Sequence, residues 1–287
     1  LSQAMITPPQ ERVTLGPAER LHGRLDEVRQ LWEAFHRAQR GEGSLVLLDG
    51  PAGIGKTRLV ESLIEPMRIE GGRVSRGSWV RQRTGPLEGL LAALDGVVSS
   101  LLAEPDQAHA SLRAHLEREV GGGLALLTGL LPELELLTGP RPPPPAMAPQ
   151  EAQQRFELLV HRLVCCFAAE SSPLVLFLDD LQWAEPSSLR LLGRLVGGDS
   201  GPGVLVICAL RTPCEPPCLD LAAVRGALGL AVDQALRISL APLAQEDVQA
   251  MVADLLSTEP ARVAPLARLT YDQGQGNPWA TQRFLVK

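Results

Sequence analysis

The sequence predicts an α/β fold: a parallel sheet of five strands flanked by helices, with a helical insertion and a C-terminal helical lid. Three observations carry this. Apolar runs of strand length, at 45–48, 174–178 and 204–210, alternate with stretches whose apolar residues recur at helical spacing. Runs that are apolar at every position belong to strands buried on both faces, the condition of a parallel sheet covered by helices. Aromatic residues are 3% of the chain while apolar residues are 45%, so the core is Leu, Val and Ala, which suits helices and buried parallel strands better than a β-sandwich.

Taken in order, residues 1–20 are polar and Pro-bearing and read as a linker. Leu25, Val28, Leu31, Trp32 and Phe35 then mark an amphipathic helix that Gly41 and Gly43 end. The first strand, 45–49, runs into a glycine-rich loop. The next helix carries Leu59, Val60, Leu63 and Ile64, and Pro66 should stop it within a turn. A second strand is expected over 73–80. The Leu- and Ala-rich stretch 86–137, broken at Pro105, Gly121 to Gly123 and Pro132, reads as a helical insertion, and 139–149 as a Pro-rich connector. A helix with Phe156, Leu159, Val160, Leu163, Val164 and Phe167 on one face leads to the third strand, which ends in Asp179-Asp180. Pro186 opens a helix bearing Leu189, Leu192, Leu195 and Val196; the fourth strand ends at Arg211, and the fifth covers about 235–240. The domain reading is therefore a core over 21–240 and a lid over 241–287, where only helices are visible.

At 287 residues the chain suffices for one large domain or a core with a small lid. Its net charge of −6, without a dense Lys/Arg cluster, argues against nucleic acid as a partner of this segment. No apolar run approaches the length of a membrane span and no signal peptide is visible, so a cytoplasmic protein is expected. The five cysteines, Cys165, Cys166, Cys208, Cys214 and Cys218, lack metal-ligand spacing and read as reduced thiols, with a disulfide in the Pro-rich loop of Cys214 and Cys218 as the weaker alternative. The start at Leu1 and the stop at Lys287 within a helical pattern suggest a piece of a longer chain.

Gly50, Pro51, Ala52, Gly53, Ile54, Gly55, Lys56 and Thr57 spell G-x-x-x-x-G-K-T between a strand and a helix. That spacing lets the backbone curl so that successive N–H groups face a phosphate, with the positive end of the helix, from Arg58 onward, behind them. Lys56 would reach the β- and γ-phosphates and the Thr57 hydroxyl would ligate Mg²⁺. Twenty-five of the 27 basic residues are arginines, and the two lysines are Lys56 and Lys287. Where arginine is used almost everywhere, a lysine in this slot points to a need for a compact point charge among phosphate oxygens. In an open parallel sheet ligands collect at the carboxyl ends of the strands, where Thr57, Asp179 and Arg211 emerge. Asp179 is the candidate metal acid, Asp180 the candidate that orients or deprotonates water, and Arg211 the candidate that faces the γ-phosphate. Arg24, behind Gly23, could flank the adenine or pair with an acid on the lid. Trp183 is expected to pack the Asp-Asp loop, and Arg190 and Arg194 are open as arginine fingers or as solvated helix residues.

The set LHGR, LLDGPAGIGKT, LVLFLDDLQWAEPSSLRLL, ICALRTP and GNPW resembles the Orc1-like AAA ATPase domain (AAA_16) of the STAND class of signal-transduction NTPases, over nearly all of the chain after residue 20. Such a domain is a P-loop NTPase of the ASCE, AAA+-like type. LLPELELLTGP and EAQQRFELLVHRLV resemble the ATPase module of large bacterial hybrid proteins with a Ser/Thr kinase domain before it and sensor and histidine-kinase domains after it; related modules sit in LuxR-type regulators. The resemblance implies Gly23-Arg24 beside adenine, Asp179 as the Walker B acid, Arg211 as the fourth-strand sensor, and Gly276, Asn277 and Pro278 as the lid motif. It departs from AAA+ motors at Asp180, where those carry Glu. A base displaced by about 1 Å costs on the order of a hundredfold in rate, which suits slow turnover.

The functional expectation is an ATP-binding regulatory module with slow Mg²⁺-dependent hydrolysis to ADP and phosphate, acting as a conformational switch for flanking kinase, sensor or output domains; a nucleotide-dependent oligomer is allowed for. The rivals are an ATP-binding or autoinhibitory scaffold without useful hydrolysis and a DNA-associated initiator-like ATPase. Protein kinase activity in this segment is disfavoured, since the glycine loop is G-x-x-x-x-G-K-T rather than G-x-G-x-x-G and no H-R-D or D-F-G occurs.

Overall fold

The computed structural model describes residues 20–81, 87–142, 149–168, 172–197, 203–213, 218–229 and 235–286. The expectations on the linker before residue 20, on the middle of the Pro-rich connector and on Cys214 lie outside these residues. Five strands form one parallel sheet: β1 (Ser44–Gly50), β2 (Arg73–Ser78), β3 (Leu174–Asp179), β4 (Val204–Arg211) and β5 (Leu236–Ser239), in the order β2-β3-β4-β1-β5. Every residue of β1 and β3 is buried, as their unbroken apolar runs require of strands covered on both faces.

The described residues hold twelve α-helices: α1 (Leu25–Gln39), α2 (Lys56–Ile69), α3 (Glu88–Leu102), α4 (Asp106–Glu119), α5 (Leu124–Thr128), α6 (Leu134–Thr138), α7 (Pro149–Phe167), α8 (Pro186–Gly197), α9 (Leu221–Leu228), α10 (Gln245–Leu255), α11 (Pro260–Gly274) and α12 (Pro278–Leu285). Pro66 does close α2 within a turn, at Ile69, where the Glu70 N–H turns back to the Pro66 carbonyl. The sequence reading left α9 unassigned. Its signal is short: Asp220 caps it by accepting from the Ala223 N–H at 2.7 Å, and Val224 and Leu228, four apart, are its buried face.

By contacts the described chain falls into two compact units, residues 20–25 with 241–286 and residues 26–240. In the larger unit α3 lies on β2 with its backbone close to the strand. The Ser75 hydroxyl donates to the Ala93 carbonyl at 2.7 Å, and a Cβ added at Gly77 would stand 1.8 Å from the Gly89 carbonyl oxygen. The buried face of α3, with Leu90, Ala93, Leu94, Val97, Val98 and Leu101, joins the main core together with Leu159, Val160, Leu163 and Phe167 of α7. The smaller unit has its own core, built on Val248, Met251, Val252, Leu255, Val263 and Ala267.

The sheet order places β4 between β1 and β3, and the β1–β4 register pairs Gly50 with Arg211. Parallel pairing therefore brings the start of the glycine loop, Arg211 and Asp179 to one edge of the sheet. Because α3 sits on a strand position without a Cβ, Gly77→Ala should lower stability by about 1–3 kcal/mol. Gly122→Ala, where an added Cβ meets nothing within 4 Å, should stay within about 0.5 kcal/mol of wild type. Urea midpoints of the two variants check this, and equal midpoints would refute the close seating of α3.

Candidate functional site

The loop from Gly50 to Thr57 depends on backbone that ordinary residues rarely adopt. Gly53 has φ 75° and Gly55 φ 99°, and Gly55 is the N-cap of α2 with open space where a Cβ would stand. The helix begins with no side-chain cap and no acidic residue in its first turn, so its positive end is left for an anion. Ile54 is buried and anchors the loop, Pro51, Ala52 and Gly53 form its rim, and Arg58 is exposed on the first turn of α2.

Lys56 is buried, and its ammonium folds back over the loop, donating to the Gly50 carbonyl at 2.8 Å and the Pro51 carbonyl at 3.0 Å. Burial pushes its pKa down and the nearby Arg211 adds to this, against the opposing pull of Asp179, Asp180 and Asp49. A phosphate in the loop would supply the counter-charge that burial makes desirable.

Across from the loop, the Thr57 hydroxyl donates to Asp179 Oδ2 at 2.7 Å, and Asp179 is itself buried at the end of β3. A hydroxyl and a carboxylate converging from two elements are oxygen donors suited to Mg²⁺, which keeps several of its own waters. The residues fit the ion, which Thr57 and Asp179 would hold.

Asp180 follows in the left-handed conformation, φ 56° and ψ 39°, with its N–H donating to Asp179 Oδ1 at 2.9 Å. Asp is among the residues that tolerate this region best. The Asp180 Oδ1 accepts from Gln182 Nε2 at 2.7 Å and from Arg211 Nε at 3.2 Å. Gln182, 1% exposed, also takes the Arg211 N–H on its Oε1 at 3.1 Å. Trp183 lies next in the same turn, under the Arg81 guanidinium at 5.4 Å from its ring centroid. Arg194 is ion-paired with Glu157, and Arg190 is exposed.

Sequence reading missed the carboxylate that underlies the loop. Asp49, one residue before it, is 4% exposed and accepts from Arg237 Nε at 2.8 Å, Arg237 Nη2 at 3.1 Å, Ser239 Oγ at 2.8 Å and Thr212 Oγ1 at 2.9 Å. Burial alone would raise its pKa, but the donors from Arg237, Ser239 and Thr212 outweigh it and hold the carboxyl below its ordinary value. The signal was an acid closing a strand that is otherwise apolar, a position that cannot stay unpaired. Gln182 was likewise legible only as the one polar residue between Leu181 and Trp183.

Gly23, Arg24, Asn277 and Pro278 belong to the smaller unit. There His22 Nε2 meets Asp254 Oδ2 at 3.0 Å, Arg24 Nη2 donates to the Ala241 carbonyl at 2.7 Å, and Gly23, at φ 63°, leaves no room for a Cβ beside Asp247. Asn277 Oδ1 caps α12, accepting from the Trp279 and Ala280 N–H groups at 3.1 and 3.2 Å, with Pro278 as the first helical residue. The GNP motif is thus at least a helix start.

Residues 20–207 match the family described as AAA ATPase domain. The chain belongs to this family. Membership implies nucleotide binding, usually with Mg²⁺, and accords with the P-loop NTPase fold described above. The match ends before Arg211, β5 and residues 241–286 of the smaller unit. The chain is 28% identical over 176 residues to hybrid signal transduction histidine kinase G of Dictyostelium discoideum, spanning 61% of this chain and 5% of that protein. Among solved structures it is similar to the Aeropyrum pernix Orc1 protein in complex with DNA (16% identity, TM-score 0.47, covering 92% of this chain and 58% of that one). Drosophila ORC bound to DNA gives 14% and 0.48, covering 91% and 58%. The Thermotoga maritima RuvB Holliday junction branch migration motor gives 13% and 0.42, covering 90% and 59%. Two of these structures contain DNA, and likeness at this level says nothing of what this chain binds.

The cysteine expectation needs one correction. Cys165, Cys166 and Cys208 are not disulfide-bonded, and burial pushes the Cys166 and Cys208 thiols up to about 12. Cys218 is instead disulfide-bonded, the weaker alternative of the sequence reading. No described helix is long and apolar enough to cross a membrane.

Asp49 supplies the prediction of this section. Its folded pKa is depressed, so its contribution is present above the unfolded value near 4 and is lost as pH falls through the folded value. Asp49→Asn should cost about 1–3 kcal/mol at pH 7 and make stability less steep in pH below about 4. Urea melts from pH 2.5 to 7 read both effects, and parallel pH curves for the two proteins would rule them out.

Proposed function

We propose that this chain is an ATP-binding regulatory module whose message is its nucleotide state, with slow hydrolysis of ATP to ADP and phosphate resetting it. The observation that carries the reading is the Thr57–Asp179 hydrogen bond at 2.7 Å beside an uncapped helix start, with Asp180 next in the chain. Mg²⁺ bound with the nucleotide would neutralise phosphate charge and be held by Thr57 and Asp179. Lys56 leaves the loop carbonyls for the phosphate oxygens. Asp180 accepts the proton of the attacking water, and Arg211, at the end of the neighbouring strand, responds to the γ-phosphate.

Slow turnover is supported by the state of Asp180, a short carboxylate whose Oδ1 is already occupied by Gln182 and Arg211. The same observation favours the second reading, a nucleotide-binding scaffold without useful hydrolysis. The kinase-like relative and the resemblance to hybrid signalling proteins support flanking kinase, sensor or output domains as partners and a cytoplasmic setting.

Titration with MgATP tests the site. Lys56→Ala should weaken binding at least tenfold, and equal affinity in the two proteins would sink the assignment. Asp179→Asn should remove the Mg²⁺ dependence of binding. Asp180→Asn should bind as wild type yet hydrolyse about a hundredfold more slowly in single-turnover assays. Turnover in wild type no faster than without protein selects the scaffold, and a salt-sensitive shift of duplex DNA would select an initiator-like role.

A further inference from the structure

We infer that Gln182 is a positioning residue that makes γ-phosphate sensing by Arg211 and water activation by Asp180 a single event; this rests on the reading of the site just given. Gln182 lies in the short turn Leu181–Trp183, wholly inside the protein, between the ends of β3 and β4. Both ends of its side-chain amide are engaged. Nε2 donates to Asp180 Oδ1 at 2.7 Å, Oε1 accepts the Arg211 N–H at 3.1 Å, and its own carbonyl accepts the Leu219 N–H at 2.9 Å.

The chemistry of the pair selects an amide. One end must donate to a carboxylate and the other must accept from a backbone N–H, and the side chain that offers both at this length is glutamine. Leucine would fill the space, leave the Arg211 N–H without its acceptor and take one of two donors from Asp180 Oδ1; glutamate would keep the Arg211 contact and set a second anion against Asp180. Both donors to Asp180 take Oδ1, and among the described residues none reaches Oδ2, the oxygen that remains to hold a water.

The half-exposed Arg211 guanidinium is the movable part, since an ion pair this open to solvent is weakly held. Drawn to a γ-phosphate, it releases Oδ1. Gln182 keeps Asp180 in its left-handed pose and keeps the Arg211 backbone at the same distance from it, so the carboxylate is freed without being lost. An ADP-bound site would leave the guanidinium on Asp180.

The test uses the whole chain with MgATP and MgADP as probes, measuring affinity by calorimetry and hydrolysis by single turnover. Gln182→Leu should bind MgADP within about twofold of wild type, lose most of the preference for MgATP as Arg211→Ala does, and hydrolyse at least tenfold more slowly. The double variant should be no worse than either single one, because both remove the same coupling. Gln182→Glu should retain more of the MgATP preference than Gln182→Leu while hydrolysing as slowly as Asp180→Asn. Thermal midpoints confirm that the variants fold, and Gln182→Met replaces the leucine variant should that one fail to. Wild-type preference and turnover in Gln182→Leu, or effects of Gln182→Leu and Arg211→Ala that multiply, overturn the inference while the site reading stands. A wild type whose MgATP binding survives Lys56→Ala, or that neither prefers MgATP nor hydrolyses it, overturns both.

Discussion

Asp49 is the constraint beneath the rest. It closes β1, sits where water is excluded, and draws Arg237 and Ser239 of β5 and Thr212 beyond β4 onto one carboxylate. Parallel strands are joined by distant connections, so nothing local in the sequence keeps their ends level; a buried charge that needs several donors does. The glycine loop begins at the next residue. Its backbone can be permissive because the strand that delivers it is held from both sides.

The acidic side of the site works by the same economy of position. Asp179 is the last residue of a strand buried along its whole length, and Asp180 is the first residue beyond it, turned into the left-handed region. One residue of chain thus separates an acid facing Thr57 from an acid facing Gln182 and Arg211. The change of backbone hand divides two identical side chains between contact with Thr57 and contact with Gln182 and Arg211.

The smaller unit shows how far a motif can be read. His22, Gly23 and Arg24 are tied to Asp254, Asp247 and the Ala241 carbonyl, and Asn277-Pro278 starts α12. Each of these residues has a structural occupation, and a role toward a nucleotide would be additional to it.

Much of this protein was determined by sequence alone: the strands, because unbroken apolar runs have one stable place; the glycine loop, because its spacing has one mechanical use; and the Thr57, Asp179, Asp180 and Arg211 set, because parallel strands bring their carboxyl ends to one edge. Helix α9 escaped because eight residues with two buried positions make too short a period to read. Asp49, Arg237 and Gln182 escaped for a different reason. Asp49 and Arg237 are 188 residues apart, and Gln182 and Arg211 are 29 apart. A lone polar residue carries no pattern of its own. Only the tertiary structure, by putting β4 between β1 and β3 and by burying these groups, decided which donors and acceptors had to find one another.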